Sequence, residues 1–194
     1  MKKLILMALG FWAFSGSAQP LLSLKKTPKT LRPVIEKVAA DYSQNFDNIK
    51  GDTVSISDNI IVFASKVAPS DALSTSITKY TDPYSYTWQA IMFQSEDYEE
   101  TSEKYKDYYK QLNGSTITFF DKTKYKLNGP FDTPDEGRAF ASSILQLDPS
   151  NRNLQFFKVE VSMDYSLPQW IVKVLIYEKV SDDQIRPTNE IPIN

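Results

Sequence analysis

The 194-residue chain contains no histidine and no cysteine. Without histidine there is no Ser-His-Asp triad, no imidazole base near neutral pH and no imidazole ligand for a metal. Without cysteine there is no disulfide, thiolate zinc site, iron–sulfur cluster or thiol nucleophile. An excess of basic charge is missing too. Twenty-two Lys and Arg face 24 Asp and Glu, a net −2, so the basic surface demanded by nucleic acid is absent. No phosphate loop, Gly-x-Gly-x-x-Gly or Gly-x-Ser-x-Gly motif occurs. Composition therefore implies no cofactor and no resident metal, and points to no catalytic residue.

Long apolar runs are equally scarce, with one exception at the start. Lys2-Lys3 precedes the stretch from Leu4 to Phe14, and Ser15-Gly16-Ser17-Ala18 leads into Gln19. A short positive region, an apolar run and small residues before a cut are the layout of a secretory signal peptide. The run falls short of the roughly 20 residues that a membrane-spanning helix needs. Residues 1–18 are expected to be removed, which leaves 176 of the 194. Both charges lost are lysines, so the balance moves to a net −4. The mature chain is expected to be exported, periplasmic or secreted, with no transmembrane segment after cleavage. A chain of this size can bury about two-thirds of its unfolded surface and needs no covalent staples.

Residues 19–30 hold two Pro and three Lys without periodicity and read as an extended lead-in. Val34, Ile35, Val38, Tyr42, Phe46 and Ile49 keep helical steps, with Pro33 in the first turn and Gly51 at the exit. Strands are expected at Thr53–Ser57 and Ile60–Val67, around a Ser57-Asp58-Asn59 turn. Pro69-Ser70-Asp71 is expected to open a short helix through Ile77. A long strand follows from Tyr84 to Phe93, where Tyr84, Tyr86, Trp88, Ala90 and Met92 alternate with polar residues. Ser95-Glu96-Asp97 opens a second helix with its stripe at Tyr98, Tyr105, Tyr109 and Leu112, closed by Asn113-Gly114. Short strands are expected at Ser115–Phe120 and Lys124–Leu127. Thr133-Pro134-Asp135-Glu136 has the form of a capping box, and Phe140, Ile144 and Leu147 supply an apolar side to a third helix. Strands at Leu154–Met163 and Gln169–Tyr177 end the pattern, before a polar tail at 181–194.

One internal echo stands out. Tyr42, Phe46, Ile49 and Gly51 match Tyr105, Tyr109, Leu112 and Gly114 at a constant offset of 63. Trp88 on one long strand is echoed by Trp170 on another. The expected fold is α+β over 31–180, a predominantly antiparallel sheet with helices on one face. Two tandem helix-plus-sheet repeats, 31–95 and 96–180, are a possible origin.

Three chemistries survive the composition filter. Asp97, Glu99, Glu100 and Glu103, and then Asp132, Asp135 and Glu136, lie at expected helix starts, where the dipole favours acids. A paired-carboxylate hydrolase would instead need two acids facing across a substrate. Asp148-Pro149-Ser150-Asn151-Arg152-Asn153 alternates oxygen side chains as a calcium loop does, yet lacks the Gly and the final Glu; a solvated turn accounts for it. Tyr80, Tyr84, Tyr86 and Trp88 are the candidate ligand-binding residues, because exposed rings hold sugars or extended peptides. Alternation assigns Tyr86 and Trp88 to a core face, whereas Tyr80 and Tyr84 lie at the loop end. The expected function is a non-enzymatic binding domain for a protein, peptide or glycan of the cell envelope. A carboxylate-based hydrolase of polysaccharide or peptidoglycan fragments is the alternative.

Overall fold

A computed structural model describes residues 31–179. The expected signal peptide, the lead-in and the tail at 181–194 lie outside this range. Nine strands form one antiparallel sheet, and two α-helices accompany it. The class is α+β with the sheet dominant. Among the described residues, no helix is long and apolar enough to cross a membrane.

Helix α1 spans Arg32–Asp41, with Pro33 in its first turn. It stops well before Ile49 because Asp41 breaks the pattern. The Asp41 carboxylate turns onto the following chain and accepts from the Asn48 and Ile49 amides. Asn45 and Phe46 then adopt left-handed backbone, at φ 54° and 59°. A meander follows: β1 Lys50–Ser57, β2 Ile60–Ser65, β3 Ser74–Thr81 and β4 Tyr84–Ser95. The short helix expected from Pro69 is not formed, since Ser74–Thr81 pairs with both neighbours as a strand. Its β-branched and aromatic residues suit that outcome.

Helix α2, Tyr98–Leu112, starts where Asp97 accepts the Glu100 amide at 2.9 Å. It ends where Gly114 takes φ 78°, a conformation that favours glycine. A second meander returns from the far edge: β5 Thr116–Thr118, β6 Lys124–Asn128, β7 Phe140–Asp148, β8 Phe157–Ser166 and β9 Gln169–Glu178. The order across the sheet is β1-β2-β3-β4-β9-β8-β7-β6-β5. The two meanders therefore meet at β4 and β9.

The third helix expected from Thr133 is corrected by β7. Phe140, Ile144 and Leu147 do fall at helical steps. Ala141, Ser143, Leu145 and Leu147 also alternate, and these are the residues the structure buries. Pairing with β8 on one side and β6 on the other decides between the two periods. The acids before it serve the turn instead: Asp135 accepts the Gly137 amide and Asp132 the Ser142 amide. Gly129 permits this close packing, because a Cβ there would lie 2.0 Å from the Ile144 carbonyl oxygen.

Core residues follow one register. Trp88 opposes Ile176 and Ala90 opposes Val174 across β4 and β9. Val159, Val161 and Met163 oppose Ile176, Val174 and Val172 across β8 and β9. Helix α2 lies against β4, β8 and β9, while α1 meets β5. The α2 tyrosines tie the helix to loops. Tyr105 donates to the Asp132 carbonyl at 3.1 Å, Tyr109 to the Gly129 carbonyl at 2.8 Å, and Tyr108 to Asp71 at 3.4 Å. The offset of 63 does not pair like with like: Tyr42 follows α1 while Tyr105 lies inside α2. Trp88 sits on the fourth strand after α1, and Trp170 on the fifth after α2.

Candidate functional site

The four aromatic candidates separate along two adjoining strands. Trp88 is fully buried, and its indole N–H donates to Ser65 Oγ at 3.0 Å. Ser65 in turn holds the Val67 carbonyl and amide, so this indole fastens the end of β2. Tyr86 is buried two residues earlier, on the same face. Tyr84 is 61% exposed at the start of β4. Tyr80 opposes Ser85 on β3, and register therefore sends it to the other face of the sheet. It is half-buried, and that burial pushes its phenol up to about 12.

Tyr84 and Tyr86 form the nucleus of a small surface. Their rings meet edge to face at 5.5 Å and their hydroxyls lie 3.2 Å apart. That hydroxyl contact, with a smaller contribution from burial, raises the Tyr84 phenol. Lys79 stands over the Tyr84 ring at 5.4 Å, and Lys50 over the Tyr86 ring at 4.3 Å and Phe63 at 5.3 Å. Burial lowers the Lys50 ammonium, but the bond to Asp47 at 2.5 Å and the Tyr86 phenol outweigh it, and the net shift is upward. Cations over ring faces are a favourable arrangement in a partly wet setting.

The surrounding wing is open. Ile61 opposes Lys79, and Ile56 opposes Ile61, so these side chains share the Tyr86 face. Val54 and Ile56 on β1 are 67% and 74% exposed. The two sheet edges are unlike. β5 has three residues beside α1, and its Thr118 hydroxyl bonds Glu36. β1 has eight residues and, among the described residues, no strand beyond it. Its register shifts between Lys50 and Ser55 and runs regularly from Ser55 to Ser57. Alternation could flag the aromatic strand, but it could not show that β1 would end the sheet.

The other sequence candidates have local roles. Asp97 caps α2, and Glu100 bonds Ser95. Asp132 pairs with Arg138 at 3.0 Å. Asp148 accepts from Asn128, and Asn151 caps a single 3-10 turn at Arg152–Leu154. Among the described residues, no group of three or more acids is placed to hold a metal ion. No protein-family model matches the chain, and no curated protein or solved structure matches it either.

Proposed function

We propose that the protein is an exported, non-enzymatic binding domain whose β1 edge and adjoining Tyr84 surface take an extended peptide segment of an envelope or exported protein. The observation that carries this reading is the long terminal strand with two exposed β-branched side chains. Such an edge presents unpaired backbone groups, and proteins that do not use one commonly blunt it. An added strand would take its main-chain bonds from β1 and set alternate side chains beside Ile56, with Phe63 one strand further in. The two halves, 31–95 and 96–180, share the order helix then meander. We read them as tandem units matched in element order, not residue by residue, with both helices on the sheet face that carries Trp88.

A hydrolytic carboxyl must be held out of water to act as an acid. Glu96 and Glu136, which border one cleft, are both exposed, and the buried Glu160 carboxylate accepts from Ser142 and Tyr177; this favours the binding reading over the hydrolase. The test places a photo-crosslinking residue at Ile56 and, separately, at Glu99 on the exposed side of α2. The mature chain is then exposed to envelope extract. Crosslinks to a defined peptide segment at Ile56 alone, lost on Val54→Pro, are expected. Equal labelling from both positions would sink the proposal, and crosslinks to glycan would replace the peptide with a sugar.

A further inference from the structure

At the opposite end of β4 the molecule holds a concavity. Ser95, the last residue of β4, opposes Trp170, the second residue of β9. β4 has 12 residues, so this end lies about 35 Å from Tyr84 along the strand. Between the 136–138 turn and the β8–β9 hairpin is a cleft of about 360 Å³, lined by Glu96, Glu136, Gly137, Tyr165, Pro168 and Trp170. Small-ligand sites begin near this size.

Two aromatic residues line it, and its lining charges are of one sign. Trp170 packs against Tyr98 at 5.2 Å and Tyr165 at 4.8 Å between ring centres. Trp170 is buried, whereas Tyr165 is 40% exposed and offers its ring to the opening. Glu96 and Glu136 both line this space and have no ion pair among the described residues. The nearest cation on the turn is already engaged: Arg138 donates to Asp132 at 3.0 Å and to the Thr133 carbonyl at 2.6 Å. The phenol of Tyr98 reports the local field. Burial raises it first, Asp135 and Glu136 raise it further, and Ser102 and Arg138 offset this only in part.

We propose that this cleft binds an organic cation, the guanidinium or ammonium group of a basic side chain or small amine, between the Glu96 and Glu136 carboxylates and the Tyr165 ring. A carboxylate pair supplies charge, and the ring supplies a face that attracts a weakly hydrated cation. A neutral sugar would gain only the ring and leave two carboxylates unneutralised. Arginine suits the site better than lysine, because its planar group stacks and forks at once. The exposed tip residue Leu167, 83% accessible on the β8–β9 hairpin, gives an apolar flank to a peptide that carries such a side chain. This site is independent of the β1 edge.

The test is NMR titration of the mature chain with N-acetylarginine amide, N-acetyllysine amide and chitobiose as separate probes. The arginine probe is expected to shift Tyr165 and Trp170 signals with millimolar affinity, more strongly than chitobiose, and to weaken with added salt. Glu136→Gln and Glu96→Gln are each expected to weaken it about threefold, as exposed charges do, and the pair together about tenfold. Tyr165→Leu should remove most of the preference for arginine over lysine. Val54→Pro at the distant edge should leave the titration unchanged, so failure of one site is separable from failure of the other. Equal shifts by chitobiose, or arginine binding unaltered in the double glutamine variant, would overturn the proposal. Absence of any shift at about 100 mM probe, far weaker than a millimolar site, would do the same.

Discussion

Ser65 shows how much one hydroxyl can organise. It accepts the Trp88 indole N–H, accepts the Val67 amide and donates to the Val67 carbonyl. Ser65→Ala would leave a buried indole donor without its partner, a loss of about 1–3 kcal/mol. Trp88→Ala would open a cavity in the central core and cost about 3–5 kcal/mol. Urea unfolding followed by Trp fluorescence, which retains Trp170 as reporter, measures both. A Ser65→Ala midpoint equal to the parent's would refute the fastening role. Tyr84 differs from its neighbours in kind. Four aromatic residues within nine positions share one composition, yet only Tyr84 is exposed enough to meet a partner with its ring. The alternation placed Tyr86 and Trp88 inward correctly. It could not place Tyr80, because the face of β3 depends on which strand it pairs with.

Among the elements, α2 was the most readable. Its acidic start and its Asn-Gly exit have local causes that agree, and the expected stripe holds at Tyr105 and Leu112, while Tyr108 is buried in addition and Tyr98 and Tyr109 are only half-buried. Asp97→Ala removes the bond to the Glu100 amide and is expected to cost about 1 kcal/mol, while Asp97→Asn should cost far less. Thermal unfolding by circular dichroism distinguishes them. Equal losses would assign the effect to charge at the helix start rather than to the cap. β7 is the contrary case. A capping-box signature and three helically spaced apolar residues were outweighed by two flanking strands, which satisfy its backbone on both sides. Tertiary pairing overrides local propensity of this size, since single-residue preferences are worth well under 1 kcal/mol.

For the whole molecule, the consequence of so many half-buried phenols is alkaline sensitivity. Tyr80 and Tyr108 are pushed up to about 12, both by burial first, with Asp71 assisting at Tyr108. Tyr42 is raised further, by burial and then by Glu178. Their unfolded counterparts ionise near 10. The folded chain therefore keeps protons that the unfolded chain releases, and stability is full below about pH 10 and falls as pH rises toward 12. Denaturant midpoints from pH 8 to 12 should show that decline, and Tyr80→Phe should lessen it. A flat profile in the parent would contradict the burial of these rings. With no histidine present, no side chain with an ordinary imidazole pKa adds a step near neutrality.

Much was decided by sequence alone. The absence of His and Cys removed whole classes of chemistry. Period-2 alternation at β4, β8 and β9 specified the central strands, because a one-residue slip would turn every core side chain to the other face. What remained for tertiary structure was adjacency. Nothing local makes β1 an edge, brings β9 back beside β4, or sets Glu96 and Glu136 around Trp170. Those arrangements come from strand pairs far apart in the chain, whose stability belongs to the assembled sheet rather than to any one segment. Both proposed binding surfaces lie where that assembly stops: one at its open edge, the other where its central strands give way to turns.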